Sequence, residues 1–432
     1  MAAWEEATWH PAVGGSGVPR RDQLSGVYQR YVPDPLVSAP LAVKGELSRR
    51  FSQVERGIRA LNGPGAEGLA GLARFLLRSE AIASSRIEGI APSAQQIALA
   101  ELGQSETVKG VSEQAQLVAN NMTVVGEATS QLVQTDTLTV DHVVELHRSL
   151  MPSERQHHGF RVVQNWIGSS NWTPIGADFV PPAPERVPEL MLDLIDYLNG
   201  GAHSPLVQAA LVHAQFETIH PFTDGNGRVG RALIHTVLAR RGLADKAVLP
   251  ISLVLATLRN RYIDGLTAFR HTAPAGSVEA SRATNRWLEV FVDAAGIAAE
   301  QSQELVRQVR LLRDEWDERI TRHRQANGQR PVPRVDSAVA RLLGRLPEAP
   351  VVTARTLSRI LGVSLPAANS ALDELTQAGI LTTRAIDRGA KAYIAREVLD
   401  LVTLSERALA STHFDTRITP PHAGVPARAE RS

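Results

Sequence analysis

The stretch from His220 to Arg231 constrains this chain most, because it places an imidazole, a carboxylate, three glycines and two arginines within twelve residues. Gly225 and Gly227 permit a tight turn whose backbone N–H groups converge on an anion, and a helix that starts there presents its positive end to the same point. Arg228 and Arg231 are three residues apart and share one face of that helix. The stretch therefore predicts a site for a phosphate-bearing group.

A dinucleotide-binding turn is an alternative interpretation of the same glycines. Gly225, Gly227 and Gly230 satisfy the pattern G-x-G-x-x-G, and Asp245 follows near the spacing of a ribose-binding acid. That fold needs a strand directly before the first glycine, whereas residues 207–214 carry apolar side chains at helical spacing. The preceding segment therefore disfavours this alternative, and the sequence contains no P-loop pattern either.

The complete stretch, His-Pro-Phe-Thr-Asp-Gly-Asn-Gly-Arg-Val-Gly-Arg, resembles the motif of the Fic (filamentation induced by cAMP) family. That motif is written H-x-F-x-[DE]-G-N-G-R-x-x-R, and the chain fills every specified position. Most members of the family transfer AMP from ATP to a Tyr, Thr or Ser hydroxyl of a target protein. The resemblance implies that ATP and Mg²⁺ bind here and that a hydroxyl on a target protein, or on this protein itself, is modified.

The resemblance also implies a role for each residue of the motif. His220 would be the general base that takes the proton of the target hydroxyl, a task suited to an imidazole. Asp224 would hold Mg²⁺ against the α- and β-phosphates. Residues 225–227 would form an anion hole, and the two arginines would bind the β- and γ-phosphates. The implied catalytic residues are His220, Asn226 and Arg228. The implied nucleotide-binding residues are Glu88, Gly225, Asn226, Gly227, Arg228, Val229, Gly230, Arg231 and Tyr262.

A second, shorter match lies upstream, from Ser84 to Gly89. Its sequence, Ser-Ser-Arg-Ile-Glu-Gly, resembles the inhibitory motif of the same family, [ST]-x-x-x-E-[GN]. Ser84 and Glu88 are four residues apart and share one helix face, and Gly89 suits the end of that helix. In the family, this glutamate pairs with the second arginine of the catalytic motif, which is Arg231 here. The resemblance therefore implies an enzyme that is inhibited by its own Ser84 and Glu88.

Two further segments resemble parts of the family. Residues 159–182 are similar to the flap, a hairpin that overhangs the site and pairs with an extended segment of the target. The target hydroxyl would dock under residues 166–180. Tyr262 lies in a segment, Arg-Tyr-Ile-Asp, that resembles the part of the family where a tyrosine lines the adenine pocket. A tyrosine that packs in the core is the alternative at this position.

Composition excludes several classes of function. The formal net charge of the 432 residues is +1, which gives no overall attraction to nucleic acid or membranes. The chain has no cysteine, so disulfides, thiol nucleophiles and cysteine-based zinc sites are excluded. We find neither the pattern of a secretory signal nor an apolar span of about twenty residues. We therefore expect a cytoplasmic protein that makes no use of a membrane.

Helical periodicity dominates the chain and predicts a mainly α fold. The resemblance to the family implies a Fic-type helical core with a small β-hairpin flap, and the C-terminal segment resembles a winged helix-turn-helix domain. Helices are predicted at 41–62, 65–88, 110–133, 139–150, 185–199, 205–219, 228–241, 253–270 and 282–312. The predicted segments are a flexible tail (1–24), an N-terminal helical region with the inhibitory helix (25–110), the Fic catalytic core (111–300), a helix and linker (301–335), the winged helix (336–410) and a second flexible tail (411–432).

The winged helix is predicted from helices at 337–346, 353–361 and 364–379, followed by strands at 381–384 and 390–394. The third helix, which would read DNA, contains Asp373 and Glu374 but no Lys or Arg. DNA binding and protein contacts, including a homodimer, therefore both remain open. The alternatives to a protein adenylyltransferase are an ATP-sensing transcriptional regulator, which would bind DNA through this domain, and an AMP-removing enzyme.

Overall fold

The computed structural model describes residues 2–11, 18–37, 41, 43–61, 73–87, 89–152, 154–168, 170–244 and 248–403. Glu88, Asp245 and the predicted C-terminal tail therefore lie outside the described residues. The strands are β1 (Ala3–Trp9), β2 (Gly26–Val32), β3 (Val351–Val352), β4 (Thr382–Asp387) and β5 (Ala390–Ile394). The helices are α1 (Gly45–Leu61), α2 (Ala73–Ile87), α3 (Ala94–Gly103), α4 (Glu113–Gln134), α5 (Val140–Leu150), α6 (Val187–Asn199), α7 (Pro205–Ile219), α8 (Asn226–Arg240), α9 (Ile251–Thr257), α10 (Arg259–Phe269), α11 (Val278–Ala326), α12 (Ala338–Arg345), α13 (Ala354–Leu361) and α14 (Leu365–Gln377).

Helices α7 and α8 lie at the centre of the helical body. Every residue of α7 is buried, and the buried set includes the polar Gln208, His213, Gln215, Glu217 and Thr218. It begins at Pro205, which suits the first turn because proline lacks an N–H group that would have no partner there. Helix α8 contacts α2, α4, α5 and α7. The loop between α7 and α8, which carries the phosphate-site motif, is therefore anchored at both ends in the core.

The N-terminal residues differ from the flexible tail predicted for 1–24. Strand β1 pairs antiparallel with β2, so that Ala3 lies opposite Val32. The ring of Trp4 packs against Tyr31 at 5.0 Å between centroids, and Tyr31 also lies 6.3 Å from Phe179. The strand is stabilised by aromatic pairs with residues distant in sequence, which periodicity within residues 1–24 cannot reveal.

Several helices have bounds other than those predicted. The helix predicted over 253–270 is two helices, α9 and α10, which meet at Leu258. The helix predicted over 282–312 is the 49-residue α11, which extends into the predicted linker as far as Ala326. Beyond residue 312, α11 still buries Trp316 and Ile320, so packing against the C-terminal segment continues the helix. Helix α3 was not predicted.

The C-terminal segment has the predicted order of three helices and two strands, with the addition of β3, which pairs with β5 in a sheet of order β3-β5-β4. It packs on α3, where Leu99 and Leu102 share a buried cluster with Val351 and Ile394. The assignment of this segment as a winged helix stays a prediction. No helix in the described part of the chain is both long and apolar enough to cross a membrane.

Candidate active site

Helix α7 ends at His220, whose backbone is left-handed with φ 51° and ψ 60°. Among the residues described, it is the one non-glycine residue with a positive φ. The His220 N–H donates to the Phe216 carbonyl at 2.9 Å, and Arg161 Nε donates to the His220 carbonyl at 2.9 Å. The side chain is 18% exposed, and its Nδ1 lies 3.8 Å from Glu217 Oε2. Such a backbone costs about 1–3 kcal/mol, so the surrounding contacts hold this imidazole in place.

The buried Arg161 is the main support of this backbone. Its guanidinium also donates to the carbonyls of Val163, Pro182 and Ile219, and its own N–H donates to the Pro221 carbonyl at 2.9 Å. Burial lowers the pKa of Arg161 to about 10, which leaves it charged at neutral pH. The sequence motif did not indicate Arg161, because its partners are backbone carbonyls of three different segments.

Asn226 closes the loop that follows His220. Its Oδ1 accepts the Phe222 N–H at 2.9 Å, and its Nδ2 donates to the Phe222 carbonyl at 2.8 Å. Phe222 is fully buried and stacks on His147, with ring centroids 3.8 Å apart and planes inclined by 6°. Because both ends of the Asn226 amide are used within the loop, its side chain positions the loop. The predicted catalytic role of Asn226 stays a prediction.

Gly225 forms the turn into α8 with φ 79°. A β-carbon here would lie 3.2 Å from Met151 Sδ and 3.4 Å from His147 Cδ2, so both the backbone conformation and the space favour glycine. The Gly225 N–H donates to Asp224 Oδ1 at 2.6 Å, which orients that exposed carboxylate. The His147 ring lies 3.0 Å from the Asp224 carbonyl through Nε2, and burial lowers the pKa of His147 to about 4. His147 is therefore neutral at pH 7 and carries its proton on Nε2.

Arg228 and Arg231 are both buried but differ in their partners. Arg228 Nη2 lies against Met151 Sδ, whereas its Nε and Nη1 have no hydrogen-bond partner among the residues described. Arg231 Nε donates to Ser84 Oγ at 2.8 Å, and its Nη2 donates to the Ser84 carbonyl at 2.9 Å. A narrow cavity between α2, α4 and α8 is lined by both arginines and by Asn121. Helix α2 thus already engages Arg231 but leaves Arg228 unsatisfied.

Ser84, predicted as part of the inhibitory motif, therefore meets Arg231. Helix α2 runs to Ile87, and Gly89 after it is left-handed with φ 80°. Glu88 lies outside the described residues, so its pairing with Arg231 stays a prediction.

A buried group on α2, which sequence reasoning missed, fastens this helix to its neighbours. Glu80 Oε1 lies 2.8 Å from His235 Nε2 of α8, and Glu80 Oε2 accepts the Ser252 N–H of α9 at 2.9 Å. The Ser252 hydroxyl also donates to Glu80. All three residues are buried. The available signal was weak, since Glu80 is one charged residue beside the small and apolar residues of 81–83.

Helix α2 also forms hydrogen bonds through Arg78 to α3 and to the segment just before β3. Arg78, which is 1% exposed, donates from Nε to Glu101 Oε2 of α3 at 2.7 Å. Its Nη2 donates to the Glu348 carbonyl, just before β3, at 3.1 Å. Helix α2 therefore joins the motif helix to the C-terminal segment.

The predicted flap is less regular than a hairpin. Within 159–182 the structure describes a single antiparallel bridge, Ile167 with Phe179, whose two hydrogen bonds measure 2.8 and 3.2 Å. Arg270 lies over the Phe179 ring at 3.5 Å from its centroid, and Trp166 packs edge-on against Trp9 of β1. The segment is held by this bridge and by side chains of other elements, and docking of a target under it stays a prediction.

Three predicted nucleotide-binding residues lie in the packing of the core. Val229 is fully buried, and a β-carbon on Gly230 would lie 2.8 Å from Glu217 Oε1 on α7, so Gly230 permits α7 and α8 to approach closely. Tyr262 is 7% exposed, and its hydroxyl lies 2.9 Å from His213 Nε2. The structure therefore gives all three a packing role, and their contact with nucleotide stays a prediction.

Comparisons with known proteins agree with this geometry. Residues 137–238 match the Fic/DOC family. The chain is 32% identical over 119 residues to protein adenylyltransferase fic-1 of Caenorhabditis briggsae, which covers 26% of this chain and 22% of that relative. It is 36% identical over 118 residues to protein adenylyltransferase Fic of Drosophila willistoni, which covers 26% and 22%. The chain thus spans about a fifth of the length of these relatives.

The fold is similar to the crystal structure of a Fic family protein from Desulfovibrio desulfuricans G20. The TM-score is 0.51 at 20% sequence identity, and the match covers 83% of this chain and 98% of the other. The matched family region contains His220, the turn at Gly225 and both arginines of α8. Residues 137–238 are therefore similar to the Fic/DOC family, and the fold is similar to that of a Fic family protein.

Proposed function

We propose that this protein transfers AMP from ATP to a hydroxyl group of a target protein and of itself. The proposal is supported by the relatives that are named protein adenylyltransferases and by the complete motif. The observation that carries it is Arg228, a guanidinium only 6% exposed with two N–H-bearing nitrogens that lack partners among the described residues. A phosphate oxygen that reached Arg228 would accept charge-assisted hydrogen bonds from Nε and Nη1. These bonds would offset the free-energy cost of burying the two donors without partners.

The proposed reaction assigns one task to each side chain. The hydroxyl oxygen of the target attacks the α-phosphorus, and His220 accepts the hydroxyl proton as the new P–O bond forms. The bond between the α-phosphorus and its bridging oxygen breaks, and pyrophosphate leaves. Arg228 and the N-terminal N–H groups of α8 stabilise the phosphate charge. The rigid backbone at His220 keeps the imidazole at one distance from the helix end.

Asp224 suits the proposed Mg²⁺, since its carboxylate is exposed beside the helix N-terminus and its Oδ1 is oriented by Gly225. When bound, Mg²⁺ would neutralise charge on the α- and β-phosphates. We propose that the target segment lies along residues 166–180, where Ile167 and Trp172 are exposed apolar residues.

We further propose that α2 inhibits the enzyme. Ser84 occupies the guanidinium of Arg231, which would otherwise bind the γ-phosphate, and Glu88 would add a competing negative charge. Removal of the carboxylate in Glu88→Gly should raise transfer with ATP as donor. The gain should vanish in the double variant with Arg231→Ala, because the released arginine is what would bind the phosphate.

The test uses ATP labelled on the α-phosphate and a cell lysate as the source of targets. Wild-type protein should label protein bands, Glu88→Gly should label them more strongly, and His220→Ala should label none. ATP labelled on the γ-phosphate should label nothing, and label from that position alone would indicate phosphorylation. Absence of label with every variant, although ATP binds, would favour the ATP-sensing regulator. Release of AMP from modified protein by the wild type but not by Glu88→Gly would favour an AMP-removing enzyme.

A further inference from the structure

A cluster of three metal-ligand side chains lies at the loop before α8. Within the part of the chain that the structure describes, Glu154, His157 and Asp224 form the one group of this kind, and their ligand atoms all lie within 4.8 Å of one another. Glu154 Oε2 and His157 Nε2 are 3.7 Å apart. Two ligands on one metal ion at bond lengths near 2.0–2.1 Å lie about 3.3 Å apart in a tetrahedral site, so small side-chain movements would close the cluster around an ion.

The backbone holds two of these side chains on the same side of one turn. Glu154 and His157 belong to a short 3-10 turn over Arg155–His157, in which the His157 N–H donates to the Glu154 carbonyl at 2.9 Å. The turn is anchored from both sides, because Glu154 N–H donates to the Met151 carbonyl and His158 Nε2 lies 2.8 Å from that same carbonyl. The cluster is thus built on a supported loop that follows α5.

An independent observation concerns the second nitrogen of the histidine. His157 Nδ1 lies 2.8 Å from Thr223 Oγ1, on the residue next to Asp224. When Nδ1 carries the proton and donates it to this hydroxyl, Nε2 presents its lone pair to the cluster. Histidines that bind metals are oriented in this way by a second hydrogen bond. Asp224 is oriented likewise, since Gly225 N–H occupies Oδ1 and leaves Oδ2 available.

We propose that Glu154, His157 and Asp224 bind a divalent transition-metal ion of the Zn²⁺ class in the absence of nucleotide. One imidazole nitrogen and two carboxylates suit this class better than Mg²⁺, which prefers oxygen ligands and usually retains several waters. Water would complete the coordination, because the three side chains are only partly covered. The site shares Asp224 with the Mg²⁺ site proposed above but adds two ligands that do not depend on a phosphate.

The first experiment measures metal binding to the full chain without nucleotide or target. Metal-free protein is titrated with Zn²⁺ by calorimetry in the presence of millimolar Mg²⁺. One equivalent should bind, and His157→Ala should weaken binding by at least about tenfold. His323→Ala is the control, since it removes a histidine of α11 that lies outside the cluster, and it should bind Zn²⁺ as the wild type does. Glu154→Gln keeps the size of a partly exposed side chain and should also weaken binding.

Co²⁺ supplies a spectroscopic readout of the same site. The wild type should develop visible absorption bands typical of a protein-bound ion with few ligands, and His157→Ala should lose them. Absence of Zn²⁺ binding to the wild type would overturn the proposal. So would equal binding by the wild type and His157→Ala, or an equal loss in His323→Ala. These measurements require no ATP, so their failure leaves the proposed transferase activity standing, and failure of that activity leaves the metal site standing.

A second readout rests on the proposed function. Because Asp224 would be shared, Zn²⁺ should inhibit Mg²⁺-dependent AMP transfer by the wild type and should inhibit Glu154→Gln less. If Zn²⁺ binds but leaves transfer unchanged, the sharing of Asp224 is wrong.

Discussion

The motif stretch 220–231 and helix α2 both determine the geometry of α8, but by opposite means. In the stretch, the contacts that form the turn are local, since the His220 N–H donates to the Phe216 carbonyl and Asn226 bonds to Phe222, each four residues away. Arg161 adds one distant support at the His220 carbonyl. On α2, the partners are distant in sequence. Ser84 and Arg231 are separated by 147 residues, and Glu80 and Ser252 by 172.

The two regions therefore have different proposed roles: the stretch positions the groups of the reaction, and α2 restrains them. The turn and cap contacts of the stretch form largely within its own sequence, and Arg161 supports them from the segment before it. A helix held by distant partners keeps its position only while those partners are in place. Substitutions in the stretch should therefore affect the chemical step, whereas substitutions on α2 should affect stability and the degree of inhibition.

The largest expected effect is at the centre of the stretch. His220→Ala should lower AMP transfer by about 10²–10⁴-fold, the usual contribution of a positioned general base. ATP affinity should change little, because the imidazole acts on the target hydroxyl. Labelled-ATP transfer and nucleotide titration measure the two quantities. Loss of ATP binding in this variant would instead identify His220 as structural.

On α2, Glu80→Ala should lower the free energy of unfolding by about 3–5 kcal/mol, because it leaves His235 and the Ser252 N–H buried without their acceptor. Urea denaturation measures the change. Glu46→Ala, on the first turn of α1, is the control and should have almost no effect. If both variants unfold at the same urea concentration as the wild type, the contacts of Glu80 with His235 and Ser252 contribute nothing to stability.

Within the stretch, Asn226→Ala should destabilise the protein by about 1–3 kcal/mol, since the Phe222 N–H loses its buried acceptor. Transfer should fall as well, because the loop would no longer be held closed. Asn121→Ala is the matched control, as this buried amide has no partner among the residues described. Thermal unfolding of the two variants compares them, and an equal loss would contradict the bracing role of Asn226.

The stability of the protein should also depend on pH through His147, whose ring stacks on Phe222 of the stretch. Its pKa is lowered from 6.5 to about 4 by burial, so the folded protein binds fewer protons than the unfolded chain between these values. Stability should therefore be fully present above about pH 6.5 and fall as the pH drops toward 4, by about 1–2 kcal/mol between pH 7 and 5. Urea midpoints at several pH values should show a shallower decline in His147→Gln, and an unchanged slope would refute this origin.

The smallest effect concerns the link between the two regions. Ser84→Ala removes the Oγ acceptor of Arg231 but keeps the carbonyl acceptor, so self-modification should rise only severalfold, about 1 kcal/mol. Glu88→Gly should give a larger rise. Ser85→Ala is the matched control, because the neighbouring hydroxyl is buried without a partner among the described residues. Equal rises in Ser84→Ala and Ser85→Ala would show that the rise does not come from the loss of the hydrogen bond between Ser84 and Arg231.

The mainly helical fold and the similarity to the Fic/DOC family could be predicted from the sequence, because both rest on short-range patterns. The helix before His220 was visible in apolar spacing, and the turn was visible in its glycines. The strand β1 could not be predicted, since its stabilising aromatic partners Tyr31 and Phe179 lie in other segments. The break at Leu258 and the extension of α11 to Ala326 also depend on neighbours that periodicity does not contain.

The candidate site divides along the same line. Residue types and spacing by themselves determined that a base, a carboxylate, a turn and two arginines meet at one helix start, because a tight turn and 3.6 residues per helical turn leave little freedom. Only the tertiary structure decided that Arg231 is held by Ser84 and that Nε and Nη1 of Arg228 have no partner among the described residues. It also decided that Glu80 fastens α2 and that Glu154 and His157 join Asp224. These arrangements depend on segments brought together by burial of the core, which local sequence does not specify.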